Sequence, residues 1–93
     1  MKIEWDDEKE SLNFKKHKLR FYSILGVFYD DYRIEMFDKL HSIFEERYIT
    51  IGKSDYLNEI VNVVYCVRDD SIRIISARLA NENERREYYD SKI

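Results

Sequence analysis

The sequence predicts an α+β fold: two N-terminal helices, a four-stranded, mainly antiparallel sheet and one C-terminal helix. Three observations carry this expectation. Asp6, Asp7, Glu8 and Glu10 precede Lys15, Lys16, His17 and Lys18, the charge order that a helix dipole favours. From Tyr32 onward β-branched and aromatic residues dominate, in runs bounded by polar turns. The closing stretch is charged and opens with Asn81 and Glu84 at capping-box spacing.

Taken in order, residues 6–18 read as the first helix, with Asp6 as its N-cap. Trp5, Leu12 and Leu19 recur every seven residues and give it a narrow apolar stripe. Residues 21–29 read as a second, short helix, because Phe21, Ile24, Leu25 and Phe28 follow i, i+3, i+4, i+7 spacing. Residues 32–37, 47–52, 59–68 and 71–79 read as strands, and the tight link Arg68-Asp69-Asp70-Ser71 makes a hairpin of the last two. Short connections join antiparallel neighbours, so a meander is expected, with the helices on one sheet face. Residues 81–89 form the last helix.

The chain has 93 residues, no proline and two glycines, Gly26 and Gly52. One domain spanning residues 1–93 is expected, with no linker and no repeat. No apolar run is long enough to cross a membrane, and the acidic start MKIEWDDEKE is unlike a signal peptide. The lone Cys66 fits a reducing compartment. A cytoplasmic address is therefore expected. Net charge is −3, which runs against nucleic-acid binding as a global property. The distribution is uneven, however. Lys15, Lys16, His17, Lys18 and Arg20 are packed together, and Arg68, Arg73 and Arg78 recur every five residues.

Several chemistries are unsupported. His17 and His41 stand far apart, and Cys66 has no partner at ligand spacing, so neither a metal site nor a cofactor is expected. No glycine-rich phosphate loop and no G-x-S-x-G elbow is present. Three sets of residues remain. Lys9, Asn13, Lys16 and His17 share one face of the first helix, which could grip phosphates and a base edge, though a solvated face is the more ordinary reading. In Arg73-Ile74-Ile75-Ser76-Ala77-Arg78, period two places Arg73 and Arg78 on opposite faces of a strand. One arginine then projects from a face of small and apolar residues, where it is costly unless paired or serving a ligand. Asp38, His41, Glu46 and Arg47 lie across a loop and a strand start, where an exposed loop histidine and a cross-strand salt bridge are the more ordinary explanations. Tyr65 is a stacking candidate for a base.

The ordered motifs resemble the BrnT family of toxins. Ile3-Glu4-Trp5-Asp6, then Lys9, Asn13 and Lys16-His17, match its opening. Asp38 and His41, Glu46-Arg47 and Gly52 match its middle. Arg73-Ile74-Ile75-Ser76-Ala77-Arg78, then Glu84-Arg85 and Tyr88 or Tyr89, match its end. One departure stands out: where the family has Gly after the Lys-His pair, this chain has Lys18, so a different exit from the first helix is expected. The resemblance implies a RelE-like fold and an endoribonuclease that works without metal. It also implies a BrnA-like antitoxin, which blocks the toxin and brings DNA to the complex. On that reading Arg73 and Arg78, assisted by Arg47, stabilise charge on phosphorus, and His17 serves in acid–base transfer. Glu46 is a second base or orients Arg47, and Lys9 and Lys16 position phosphates. The alternative is a non-catalytic interaction domain that docks a partner through the same basic patches.

Overall fold

The computed structural model describes residues 2–92. Its elements run β1 (Lys2–Trp5), α1 (Asp7–His17), a 3-10 segment (Phe21–Tyr29), β2 (Ile34–Phe37), a single 3-10 turn (Lys39–His41), β3 (Glu46–Ser54), β4 (Glu59–Arg68), β5 (Ser71–Leu79) and α2 (Glu82–Ser91). The strands form a five-stranded mixed sheet among the described residues, in the order β1-β5-β4-β3-β2. β2 through β5 make the expected antiparallel meander. The fold class is nevertheless corrected on two counts.

The first correction is an extra strand. Residues 2–5 pair in parallel with the start of β5, from Lys2 opposite Ser71 to Trp5 opposite Ile74. The expectation had drawn Trp5 into the stripe of the first helix. In the structure Ile3 and Trp5 pack from β1 against the main core, and Trp5 meets Phe21 edge-on with ring centroids 5.9 Å apart. The second correction concerns residues 21–29, which form a 3-10 segment in place of an α-helix. Three residues per turn stack side chains at i and i+3. Phe21, Ile24 and Val27 have that spacing and are all fully buried.

α1 begins where the sequence places it. The Asp6 carboxylate accepts from the backbone N–H of Glu8 and of Lys9, at 2.8 and 3.2 Å. Its buried contact is Asn13, at 6% exposure, whereas Leu12 of the expected stripe is 59% exposed. β1 stops at the level of Ile74, so the outer edge of β5 beyond that point has no strand partner. Asn13 fills the gap. Its amide donates to the Ala77 carbonyl at 2.9 Å and to the Leu19 carbonyl at 3.3 Å. Its side-chain oxygen accepts from the Ala77 N–H at 3.0 Å. One carboxamide thus acts as a single strand residue.

The helix ends on Lys18, in the left-handed conformation (φ 62°, ψ 26°) with its N–H on the Phe14 carbonyl. The exit is thus the left-handed cap that glycine favours, and the difference expected from Lys18 is in residue type, not in path. A side chain in this region costs about 1–2 kcal/mol.

The 3-10 segment covers one sheet face, packing Leu19, Phe21, Ile24 and Val27 on Val61, Val63, Tyr65, Ile72, Ile74 and Ala77. It lies close to β3: a Cβ on Gly52 would sit 2.8 Å from Val27 Cγ2, which accounts for glycine there. α2, capped by the expected Asn81/Glu84 box, covers one end of the other face, with Tyr88 on Ile51 and Ile60. The Tyr88 hydroxyl donates to Asp30 at 2.6 Å and ties the two layers together.

Two stability changes of opposite sign follow. Asn13→Ala orphans the buried Ala77 N–H and carbonyl and costs about 1–3 kcal/mol, read as a lower urea midpoint at unchanged m-value. The neighbouring Leu12→Ala stays within roughly 0.5 kcal/mol of wild type. Lys18→Gly raises the midpoint by the equivalent of about 1 kcal/mol, because glycine adopts the left-handed cap without strain.

Candidate active site

The arginines of the last strand do not lie as period two requires. β4 and β5 pair with a register shift: Val64 is opposite Ser76, but Tyr65 is opposite Ile74. Ile75 is the extra residue, a β-bulge. Directly opposed residues share a face. Arg73 opposes Cys66 and Arg78 opposes Asn62, and these β4 residues are four apart. The two arginines therefore share one face, together with Arg47, which opposes Cys66 from β3. The expected opposition of Arg73 and Arg78 is corrected by one inserted residue.

On that face Arg47, Cys66 and Arg73 form a row across β3, β4 and β5. The Arg47 Nε is buried and has no hydrogen-bond partner. No hydrogen bond or ion pair holds the Arg73 guanidinium among the described residues. Burial, and then the nearby Glu45 carboxyl, push the Cys66 thiol up, so it is neutral at physiological pH. Glu45 is drawn below its usual value by the hydrogen bond from Arg68, made at 2.9 Å.

Arg78 is held differently. Its two terminal nitrogens donate to the two Glu84 oxygens at 2.8 and 2.9 Å, and one also donates to the Leu79 carbonyl at 3.1 Å. Asn62 donates to Glu84 at 2.8 Å. Burial pushes the Glu84 carboxyl up, but the hydrogen bonds from Arg78, the Asn81 N–H and Asn62 outweigh it and hold the group below its ordinary value. Arg78 is thereby a strut between β5 and α2 whose charge is largely matched.

Lys9, Lys16 and His17 line a shallow cleft of about 290 Å³ with Leu12, Asn13, Ile75 and Ser76. Ser76 opposes Val64 and so belongs to the arginine face. Burial, then the charges of Lys16 and Arg78, lower the His17 pKa, which places its imidazole within reach of the Arg78 field. His17 of α1 thus lies near Arg78 of β5, whereas neither β5 arginine lines the cleft.

The other candidates fall elsewhere. Glu46 opposes Val67 and sits on the opposite face from Arg47, accepting from the Tyr48 hydroxyl at 3.3 Å. Tyr65 is buried on that same opposite face, stacked on Tyr48 with centroids 5.7 Å apart and accepting from Thr50. Asn13 spends its polar atoms on the backbone of β5 and Leu19. What the separate motifs did not reveal is that Asp38 and His41 pair, Oδ2 to Nδ1 at 2.9 Å. His41 lines a cleft of about 240 Å³ with Arg47 and Glu45. The only sequence signal was the Asp-x-x-His spacing itself. Among the described residues no three His, Cys, Asp or Glu side chains gather in a way that could hold a metal ion, and no helix is long and apolar enough to cross a membrane.

Residues 5–84 match the family model of the ribonuclease toxin BrnT of type II toxin–antitoxin systems. The chain belongs to the BrnT family. A search of the curated proteins finds no match. Membership makes this BrnT chain a ribonuclease toxin with an antitoxin for a partner. The matched span runs from Trp5 in β1 through Glu84, and so includes the arginine row, α1 and the carboxylate that holds Arg78.

The Arg78–Glu84 strut has a pH signature. A carboxyl lowered in the folded state contributes stability that is full above its unfolded pKa, about 4.3, and is lost as pH falls through the lowered folded value. Glu84→Gln costs about 1 kcal/mol at pH 7, since the partly exposed arginine is screened. The stability of the variant also falls less steeply than wild type below about pH 4 in acid titration of urea unfolding.

Proposed function

We propose that this BrnT chain is an endoribonuclease that cuts RNA without a metal ion, on the sheet face that carries Arg47, Arg73 and Arg78. The observation that carries the reading is the bulge at Ile75, which turns both β5 arginines to the side where Arg47 already lies. Three guanidinium groups on one face, two of them without ion-pair partners among the described residues, supply the positive charge that phosphoryl chemistry needs. The reaction is in-line attack of a ribose 2′-hydroxyl on the adjacent phosphorus. The bond to the 5′-oxygen breaks, giving a cyclic phosphate, or a 3′-phosphate after hydrolysis, and a free 5′-hydroxyl.

In this arrangement Arg47 and Arg73 flank the scissile phosphate across the neutral Cys66. Arg78 stands further along the same strand, its fork filled by Glu84, and sets the field around His17. Lys9, Lys16 and His17 follow the RNA backbone along α1, holding phosphates without reading sequence. Glu46, on the far face, takes no part, and neither do the buried Tyr65 and Asn13. The acidic net charge is no obstacle, because the surface potential that RNA meets is local to this face. The partner is a BrnA-like antitoxin that covers the cationic face and is itself the DNA-binding member, so the toxin meets DNA only through it. A cytoplasmic site of action fits an RNA substrate.

Purified protein is expected to cut RNA in excess EDTA. Arg73→Ala is expected to lower kcat by about 10²–10³-fold, the usual cost of one charge-stabilising donor, with its unfolding midpoint little changed. Cleavage abolished by EDTA, or full activity in the variant, contradicts the assignment.

A further inference from the structure

We infer that His41, oriented by Asp38, is the general acid that protonates the leaving 5′-oxygen. The inference rests on the ribonuclease reading above and names the proton donor within it. The two histidines of the chain, His17 and His41, differ in what surrounds them. Burial lowers the His17 pKa, and the charges of Lys16 and Arg78 add to that effect. Such a setting weakens its hold on a proton. It has no carboxylate partner among the described residues.

His41 has the opposite surroundings. Its Nδ1 is 2.9 Å from Asp38 Oδ2, which fixes the ring and leaves Nε2 as the outward nitrogen. The carboxylate side chain is only 16% exposed and the imidazole 62% exposed. The pair is therefore anchored at its carboxylate end and open at its imidazole end, the orientation of a positioned proton-transfer group.

The pair is also clipped to the arginine row. The Asp38 N–H donates to the Arg47 carbonyl at 2.8 Å. The Ser42 hydroxyl donates to the Asp38 carbonyl at 2.6 Å and accepts from the Arg47 N–H at 3.0 Å. Arg47 cannot shift without moving the turn that presents His41. Both side chains line one cleft, with Glu45, Leu40, Ile43 and Phe44. Phe44, at 97% exposure, offers a face for a base to stack on. Cation, proton donor and stacking surface thus meet at the start of β3.

The step balances. The 2′-oxygen forms its bond to phosphorus and gives its proton to solvent water. The bond from phosphorus to the 5′-oxygen breaks, and the proton on His41 Nε2 passes to that oxygen. The products are the cyclic phosphate and a 5′-hydroxyl, and the neutral imidazole recovers a proton from solvent.

A leaving-group test separates this role from a structural one. An RNA that the wild-type chain cuts is synthesised again with sulfur in place of the bridging 5′-oxygen at the mapped site, since a thiolate departs without protonation. On ordinary RNA His41→Ala is expected to be slower by roughly 10²–10⁴-fold, and Asp38→Asn by less. On the sulfur substrate His41→Ala is expected to approach the wild-type rate, whereas Arg73→Ala gains no such rescue. Circular dichroism and the unfolding midpoint of His41→Ala should match wild type, the imidazole being exposed. Wild-type rates for His41→Ala on ordinary RNA, or an equal deficit on both substrates, overturn the assignment. If the wild-type chain itself cuts no RNA, the ribonuclease reading falls and takes this one with it. Cleavage by wild type with no defect in His41→Ala leaves the reading standing and removes only the acid.

Discussion

The outer edge of β5 changes partners midway along its length, and much else is arranged around that change. As far as Ile74 the edge is satisfied by β1; at Ala77 it is satisfied by the carboxamide of Asn13. Between the two lies the bulged Ile75. A buried strand edge with unpaired N–H and carbonyl groups is expensive, so α1 must lie where its Asn13 can reach Ala77. That single requirement fixes which side of α1 faces the sheet, and hence where Lys9, Lys16 and His17 emerge. The bulge in turn decides which face receives Arg78.

The layers on either side of the sheet reinforce this placement unequally. The 3-10 segment covers part of one face with side chains at every third position, leaving a pocket of about 560 Å³ beside Phe28, Tyr48 and Tyr65, and comes so near β3 that a Cβ at residue 52 would meet Val27. The opposite face is covered at one end by α2 alone, through Tyr88, Ile51 and Ile60. On the remainder Arg47, Cys66 and Arg73 lie in a row, the cysteine buried and the two arginines half-buried. The main core and the three arginines are thus divided between the two sides of a thin sheet. The link from Tyr88 to Asp30 is one of the contacts that bind the layers to each other.

Much of the architecture was legible in the chain. The meander of four strands, the Asp6 cap, the Asn81/Glu84 box and the hairpin at Asp69 and Asp70 all follow local rules that the structure obeys. The losses also have local causes. Lys2–Trp5 alternates as a strand should, but four residues beside a helix cap are too few to stand out from the helix that follows. Phe21, Ile24 and Val27 distinguish a 3-10 from an α spacing only once their burial is known. The bulge at Ile75 leaves no mark in a string of isoleucines, although it reverses the relation of the two arginines. Of the candidate site, Lys9, Lys16 and His17 on α1 and Arg73 and Arg78 on β5 were named from the sequence, and the structure sets His17 in one cleft with Ser76 of β5. Asn13 and Tyr65, polar residues that read as contacts to RNA, proved to serve the interior. The partnership of Asp38 with His41 depends on the turn between β2 and β3 and on its clip to Arg47.

The pairing of β1 with β5 joins the first strand of the chain to the last one. During synthesis, then, a nascent chain that has not yet exposed residues 71–79 lacks the template for its own beginning, for Ala77 to receive Asn13, and for Arg73 and Arg78. Contacts this distant in sequence form late. A copy that stops short of residue 71 still has the residues of α1 but has no partner for β1, no Ala77 backbone for Asn13 to bind and neither β5 arginine.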